Sequence, residues 1–112
     1  MDIELLIISD CPNSAPAGEL LARALQLEGV DPTGVVTKEV RTEVEAQALG
    51  FHGSPSFTVN GADLFPTDAD PAVTCRVYPT PEGLRGLPTL ASLREVIRGS
   101  LTPGTRQADT SA

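Results

Sequence analysis

The chain has few basic residues and no long apolar run. Only 8 of its 112 residues are lysine or arginine, against 15 aspartates and glutamates, so the net charge is −7. Phosphate backbones and anionic membranes would be repelled, which argues against nucleic-acid and membrane partners. The longest apolar run is far too short to cross a bilayer, and Met1-Asp2 does not begin a basic and then apolar targeting segment. A cytoplasmic location is therefore predicted.

Cysteine is also scarce. The two cysteines, Cys11 and Cys75, lie far apart in the sequence. A chain of this length can bury a core without disulfide cross-links, and a reducing compartment keeps cysteines as thiols. A bond between the two would therefore indicate a function rather than a structural cross-link.

The sequence has no clear pattern for a metal site. His52 is the only histidine, and its loop context favours a solvated side chain over a base or a soft-metal partner for Cys11. Asp63, Asp68 and Asp70 lack the spacing and the glycine of a calcium loop, so a solvated loop is favoured there too. No metal site and no cofactor are expected.

The strongest signal in the sequence is an apolar strand followed directly by a cysteine. The run from Leu5 to Ile8 predicts a strand, over about residues 2–9, that is buried on both faces. A polar turn follows, in which Pro12 and Ser14 suit the first turn of a helix. The sulfur of Cys11 would then face unpaired backbone N–H groups and the positive end of a helix dipole, which favour the thiolate.

The carboxylate of Asp10 has the opposite effect on Cys11, because a neighbouring negative charge disfavours ionisation. The helix dipole and the carboxylate compete, and the sequence leaves open which of them dominates the pKa of the thiol. The alternative to a reactive thiol is a small buried residue at the end of a strand. The polar turn around Cys11 favours the reactive thiol.

The remaining segments predict an alternation of helices and strands. Leucines at helical spacing predict a helix over residues 15–28, although Pro16 leaves open whether it kinks or begins near Ser14. Strand, helix and strand in succession predict that the first two strands are parallel. Further strands are expected at 34–40, 56–60 and 62–65, the last two joined by Asn60-Gly61, with a helix at 44–49 capped by Thr42 and Glu45 and a final helix capped by Thr89.

Residues 66–88, called the insert below, are rich in proline and are expected to form an ordered or semi-ordered loop. Val73, Cys75 and Val77 alternate with other residues, so this part is expected to be extended, with Cys75 on its apolar side. Two interpretations stay open. Cys75 is either a small packed residue or a second thiol that the insert brings back toward Cys11.

The order strand, Cys-Pro-Asn-Ser, helix, strand, helix, Gly-Ser-Pro, hairpin and helix resembles the thioredoxin superfamily over about residues 1–101. The resemblance implies an α/β, thioredoxin-like fold: a four-stranded mixed sheet flanked by helices, with the insert before the C-terminal helix. Residues 102–112 are expected to form a disordered tail.

The resemblance also implies roles for individual residues. Cys11 takes the position of the nucleophile, and Pro55 takes that of a cis-proline that opens the third strand and faces it. Ser54 is expected to present its backbone N–H and C=O to a bound peptide or thiol. The substrate-binding residues implied are Pro12, Ser14, Ser54 and Pro55.

The chain departs from the family where the second cysteine of Cys-X-X-Cys would stand, because Ser14 occupies that position. A dithiol cycle within the motif is excluded. Ser14 resembles the serine of monothiol relatives, whose cysteine forms a mixed disulfide that another thiol must resolve. Cys75 is the only candidate in this chain for that thiol. The segment 74–78, with 86–90, looks like a group of short bacterial thioredoxin-family proteins, some of which carry an alkylmercury lyase label.

Three functions follow from these observations. The first is thiol–disulfide exchange at Cys11, with a protein or a low-molecular-weight thiol or disulfide as the partner. The second is capture of a soft metal or an organomercurial by Cys11 and Cys75, because paired thiolates favour such ions. The third is a redox-inactive interaction domain.

Overall fold

The computed structural model describes residues 2–9, 11–68 and 70–101, and for Leu101 only the backbone. These residues form a mixed α/β fold with a four-stranded mixed sheet, a separate two-stranded hairpin and three α-helices. The predicted tail and Asp10 lie outside the described residues. The elements are β1 (Ile3–Ile7), α1 (Ser14–Leu27), β2 (Val36–Glu39), α2 (Glu43–Leu49), β3 (Ser56–Val59), β4 (Ala62–Asp63), β5 (Tyr78–Thr80), β6 (Gly83–Arg85) and α3 (Leu90–Leu101), with a 3-10 turn at Pro32–Gly34.

The main sheet has the strand order β2-β1-β3-β4. β1 is parallel to β2, and β3 and β4 form an antiparallel hairpin, both as predicted. β1 is also paired with β3, in the antiparallel direction. Asn60 and Gly61 both have positive φ angles, of 53° and 84°, which suits a tight hairpin turn between twisted strands. β4 ends at Asp63, earlier than expected, because the Asp63 carboxylate accepts the Phe65 N–H at 2.8 Å and turns the chain.

Both faces of β1 are covered, which explains its continuous apolar run. On one face, side chains of β1 and β3 pack against α1 and α3, and on the other a smaller cluster forms beneath α2. Burying each of these large side chains contributes about 1.5–3 kcal/mol. The first cluster includes Ile3, Leu5, Leu21, Leu25, Phe57, Val59, Leu93 and Ile97, and the second comprises Leu6, Val40, Ala46 and Phe51.

The helix ends follow local chemistry. α1 begins at Ser14, so Pro16 lies in the first turn, where its missing N–H would have had no helical partner. The predicted capping box of α2 is present: Thr42 Oγ1 accepts the Glu45 N–H at 3.1 Å, and Glu45 accepts the Thr42 N–H at 3.2 Å. Thr89 Oγ1 likewise accepts the Ser92 N–H at 3.0 Å and starts α3. No helix of the described residues is both long and apolar enough to cross a membrane.

The insert differs from its prediction in two respects. It contains the hairpin β5–β6, which was not predicted. Its side chains also face opposite to the prediction: Arg76 and Tyr78 point into the protein and are buried, whereas Cys75 and Val77 are exposed. The prediction that Cys75 lies on an apolar side is therefore wrong. The buried side is determined by the polar partners that Arg76 and Tyr78 find there.

We call these partners and the two side chains the Arg76 anchor. The Arg76 guanidinium donates to Asp63 Oδ2 at 2.8 Å, to Ser56 Oγ at 3.0 Å and to the Phe65 carbonyl oxygen, and it lies 4.8 Å from the centre of the Tyr78 ring. The Tyr78 hydroxyl donates to the carbonyl oxygen of Pro55. The anchor therefore fixes the insert against the start of β3.

Candidate functional site

Cys11 lies between the end of β1 and the start of α1 and is partly exposed, as predicted. The chain turns here because Pro12 and Asn13 form a tight turn that leads into the helix at Ser14. The Ser14 N–H is 3.2 Å from the Cys11 carbonyl oxygen, which closes this turn. The sulfur is thereby held at the N-terminus of the first long helix.

Opposing effects act on the pKa of the Cys11 thiol. Partial burial raises the pKa, because it penalises the charged thiolate. The nearby donor groups, namely the Ser54 hydroxyl, the Asn13 N–H, and the hydroxyl and N–H of Ser14, lower it because they favour the thiolate. Together these donors outweigh the burial, so the pKa of Cys11 lies below its ordinary value. A lowered pKa increases the fraction of the nucleophilic thiolate at neutral pH.

The two serine hydroxyls around the sulfur have an unusual feature. The Oγ atoms of Ser14 and Ser54 are both buried, yet neither has a nitrogen or oxygen hydrogen-bond partner among the described residues. Ser54 is fully buried. Because buried hydroxyls are nearly always paired, hydroxyls without such a partner beside a sulfur are available to donate to it. This is the arrangement expected of a site that stabilises a thiolate.

Ser54 and Pro55 lie beside Cys11, at the start of β3. The Ser54–Pro55 peptide bond is cis, as predicted from the residues Gly53-Ser54-Pro55. Pro55 is buried, and its carbonyl oxygen accepts the Tyr78 hydroxyl. Burial raises the pKa of Tyr78 far above its ordinary value, so the hydroxyl keeps its proton and acts as a donor.

The backbone of Ser54 is not free, in contrast to its prediction. The Ser54 N–H donates to the Thr74 carbonyl oxygen at 2.8 Å, and the Ser54 carbonyl oxygen accepts the Arg76 N–H at 3.0 Å. The insert thus runs parallel to the chain at Ser54 and forms a single β-bridge with it, in which Cys75 is paired opposite Ser54. The groups that were expected to meet a bound peptide are occupied by the chain itself.

Cys75 is exposed, and both cysteines are free thiols. The insert does return to the active-site region, because its backbone pairs with Ser54, but the two sulfurs are not bonded. Cys75 lines a separate, mostly apolar cavity of about 720 Å³ that also contains His52, Phe65 and Tyr78. A resolving role for Cys75 remains a prediction.

The other candidate residues are not among the groups that shift the pKa of Cys11. His52 is partly buried rather than solvated, and its Nδ1 atom has no hydrogen-bond partner within the described part of the chain. Asp63 is not in a solvated loop either, because it is paired with Arg76, whereas Asp68 and Asp70 are exposed. Residues 2–9, 11–68 and 70–101 contain no group of three or more histidine, cysteine, aspartate or glutamate side chains that could hold a metal ion.

Two residues of this region were not identified from the sequence. Asn13 acts through its backbone N–H on the sulfur, and its side chain borders a cleft of about 380 Å³ beside the insert. Arg76 holds the insert beside Ser54. An asparagine before a helix indicates a helix cap, which does not predict that Asn13 acts on a sulfur. A single arginine in an extended segment is expected to be exposed, which does not predict that Arg76 holds the insert in place.

The region can perform nucleophilic chemistry at one sulfur. A partly exposed thiol with a lowered pKa, surrounded by hydrogen-bond donors, can attack a disulfide or another electrophilic sulfur. Comparisons of the chain with protein-family models, with curated proteins and with solved structures gave no significant match, so its function is inferred from these residues alone.

Proposed function

We propose that the protein is a thioredoxin-like thiol–disulfide oxidoreductase with Cys11 as its nucleophile. The observation that carries the proposal is the set of donors around the sulfur, namely the hydroxyls of Ser54 and Ser14 and the N–H groups of Asn13 and Ser14. The Ser14 N–H also closes the turn on the Cys11 carbonyl oxygen, but the buried hydroxyls of Ser14 and Ser54 have no other partner among the described residues. Donors beside a sulfur favour the thiolate that attacks a disulfide.

The arrangement of the elements supports the thioredoxin-like interpretation. Cys11 follows the first strand and precedes the first long helix, and Ser54-Pro55 opens the third strand beside it. This is the relation between the nucleophile and the proline that the family resemblance implies. The main sheet provides the rigid support, because β1 and β3, which lead to and from the site, are paired with each other.

The reaction has two exchange steps. In the first, the Cys11 thiolate attacks a disulfide R–S–S–R, a bond forms between the Cys11 sulfur and one substrate sulfur, and RS⁻ leaves and takes up a proton. In the second, an external thiolate R′S⁻ attacks the substrate sulfur of the mixed disulfide, forms R–S–S–R′ and releases the Cys11 thiolate. The same two steps on R–S–S–R′, with a second R′S⁻, release the other RS⁻ and form R′–S–S–R′, so the substrate disulfide is reduced to two thiols and two R′SH are oxidised. If Cys75 is the resolving thiol, its thiolate attacks the Cys11 sulfur instead, RS⁻ leaves, and the two thiols oxidised are Cys11 and Cys75.

Ser14 cannot supply the second thiolate, because an alcohol does not form a disulfide. The resolving thiol is therefore external, such as a small cellular thiol, or it is Cys75. Ser54 is the shared neighbour of the two cysteines, since its hydroxyl acts on Cys11 and its backbone pairs with Cys75. A movement of the insert would be needed to bring the two sulfurs into contact, and a disulfide requires α-carbons within about 7 Å of each other.

The test is thiol trapping of the wild type and of Cys11→Ser and Cys75→Ser. We expect a disulfide substrate to form a mixed disulfide with the wild type and with Cys75→Ser, seen as the added mass of one substrate half, and not with Cys11→Ser. Loss of two hydrogens after mild oxidation, only when both cysteines are present, would identify Cys75 as the resolving thiol. Labelling of the two thiols independently after oxidation, with full activity of Cys75→Ser, would leave an external thiol in that role.

The two other functions predicted from the sequence make different predictions in the same assay. A redox-inactive interaction domain gives no mixed disulfide with any variant. A protein that captures a soft metal or an organomercurial binds one mercury ion through both thiolates, and either single serine variant then weakens binding. The cytoplasmic location expected from the composition would supply the reduced small thiols that the second exchange step needs.

A further inference from the structure

The backbone N–H and C=O groups of Ser54 are both hydrogen-bonded to the protein's own insert. An extended peptide can add to a protein by forming backbone hydrogen bonds at a free edge. At Ser54 both such groups are used, by the Thr74 carbonyl oxygen at 2.8 Å and by the Arg76 N–H at 3.0 Å. A second chain cannot bind there in the same manner unless residues 74–76 leave.

Several contacts oppose that departure. The backbones are in close approach, since a β-carbon placed on Gly53 would lie 2.8 Å from the Arg76 β-carbon. The Arg76 side chain is 8% exposed and is paired with Asp63, which is 14% exposed. Lifting the insert would expose this ion pair and would also break the bond from the Tyr78 hydroxyl to Pro55. The insert is therefore a fixed part of the site.

A cleft of about 380 Å³ lies next to the Cys11 turn. It begins at Asn13, whose N–H acts on the sulfur, and extends along residues 80–88 of the insert to Thr89, just before α3. Its volume is in the range of sites that hold small molecules rather than a protein chain. Asn13 thus joins a space of small-molecule size to the surroundings of the partly exposed Cys11 thiol, whose other neighbour, Ser54, has a backbone that is closed to peptides.

From this geometry we infer that the substrates of Cys11 are low-molecular-weight disulfides rather than disulfides within protein chains. The inference rests on the proposed function and narrows it to one substrate class. A small disulfide needs only to place one sulfur in line with Cys11. A protein disulfide carries an extended chain on both sides of its sulfur, and residues 74–76 occupy the place of that chain.

The experiment compares the reduction of two disulfide substrates, with the same thiol as the reductant for both. Reduction of bis(2-hydroxyethyl) disulfide and of insulin is measured with glutathione in excess, for the wild type and for Arg76→Ala, which removes the charged bonds that hold the insert. The matched control is Arg94→Ala, which also removes one arginine from an ion pair, here with Glu28 between α1 and α3. Tyr78→Phe is the milder variant should Arg76→Ala fail to fold, because it removes only the hydroxyl that binds Pro55.

We expect the wild type to reduce the small disulfide and to be nearly inactive on insulin. In Arg76→Ala the ratio of the insulin rate to the small-disulfide rate should rise by about tenfold or more, because only molecules with the insert open can accept a chain. Tyr78→Phe should raise it less, and Arg94→Ala should leave it unchanged. Comparable wild-type rates on the two substrates, or an unchanged ratio in both insert variants, would overturn the inference.

Amide hydrogen exchange of the wild type gives a second, independent result. The N–H groups of Ser54 and Arg76 should exchange slowly, because they join the insert to the strand start. Exchange as fast as at an exposed loop would show that the insert opens freely and would also overturn the inference. Failure of Cys11 to react with any disulfide is a distinct outcome, which overturns the proposed function and the substrate class with it.

Discussion

Two polar groups of residues meet at Ser54-Pro55, and they differ in how completely their hydrogen bonds are made. In the Arg76 anchor the buried charge and the hydroxyl are paired: the guanidinium is bonded to Asp63, Ser56 and the Phe65 carbonyl, and the Tyr78 hydroxyl to Pro55. Around Cys11, the buried hydroxyls of Ser14 and Ser54 have no nitrogen or oxygen partner among the described residues.

The difference distinguishes a structural role from a chemical one. Burying charges is costly unless they are fully paired, so the anchor is arranged for one fixed conformation. Hydrogen-bond donors beside a thiol stabilise the thiolate more than the thiol, so the Cys11 turn favours ionisation of the sulfur. The comparison leads to four predictions, which concern the reactivity of Cys11, the stability of the fold, or both.

The largest effect is expected from Cys11→Ser. Mixed-disulfide formation should disappear, because a serine hydroxyl neither ionises near neutral pH nor forms a disulfide. The free energy of unfolding should change by no more than about 0.5 kcal/mol, since the site is partly exposed and the side chains are similar in size. Mass measurement and urea unfolding give the two results. Residual reaction with a disulfide at the wild-type rate would place the reactive thiol at Cys75 instead.

The opposite pattern is expected from Arg76→Met. This change leaves Asp63 as a nearly buried, unpaired charge and should lower the free energy of unfolding by about 3 kcal/mol. The control is Lys38→Met, which breaks a more exposed pair with Glu4 and should cost less than about 1 kcal/mol. Addition of Asp63→Leu to Arg76→Met should recover part of the loss. Equal losses for Arg76→Met and Lys38→Met would mean that the anchor contributes no more than a surface pair.

The local parts of both groups were predictable from the sequence, because short-range signals determine them. Asn60-Gly61 indicates a hairpin turn, Thr42 and Glu45 indicate a capped helix, and an apolar run ending in Cys11 indicates a strand that leads to the site. Each signal lies within a few residues of the feature that it predicts. The structure agrees with all three.

The anchor could not be found in this way, because its partners are distant in sequence. Arg76 is 13 positions from Asp63, and an arginine between Cys75 and Val77 is expected to be exposed. The hairpin β5–β6 was missed because prolines argue against strands. Pro79 is tolerated because a sheet of two strands has only edge strands, on which a missing N–H can face away from the partner.

A moderate effect is expected from Ser54→Ala. Loss of its hydroxyl removes a donor to the Cys11 sulfur, so the pKa of Cys11 should rise, and alkylation by iodoacetamide near neutral pH should slow by about five- to tenfold. Stability should hardly change, because the hydroxyl has no nitrogen or oxygen partner among the described residues to lose. Ser56→Ala is the matched control, since that hydroxyl belongs to the anchor. Slower alkylation with Ser56→Ala than with Ser54→Ala would reverse the assignment of the two groups.

The smallest effect is a dependence of stability on pH. Burial raises the pKa of the Cys11 thiol, but the nearby donors of Ser54, Asn13 and Ser14 lower it by more, so in the folded protein it lies below its ordinary value of 9.0. In the unfolded chain these donors are not held beside the sulfur, so between the folded pKa and 9.0 the unfolded state binds more protons than the folded state. Stability therefore rises with pH across this window, is complete above 9.0 and is lost as the pH falls through the folded pKa.

The measurement is the urea midpoint of the wild type minus that of Cys11→Ser, from about pH 6 to about pH 9.5. This difference should increase with pH. Taking the difference removes the pH dependence that comes from the titratable groups common to both proteins. Cys75→Ser should retain the increase, because its change lies outside the set of donors around Cys11. A flat difference for Cys11→Ser would mean that the donors do not stabilise the thiolate, and the contrast between a chemical and a structural polar group would then be lost.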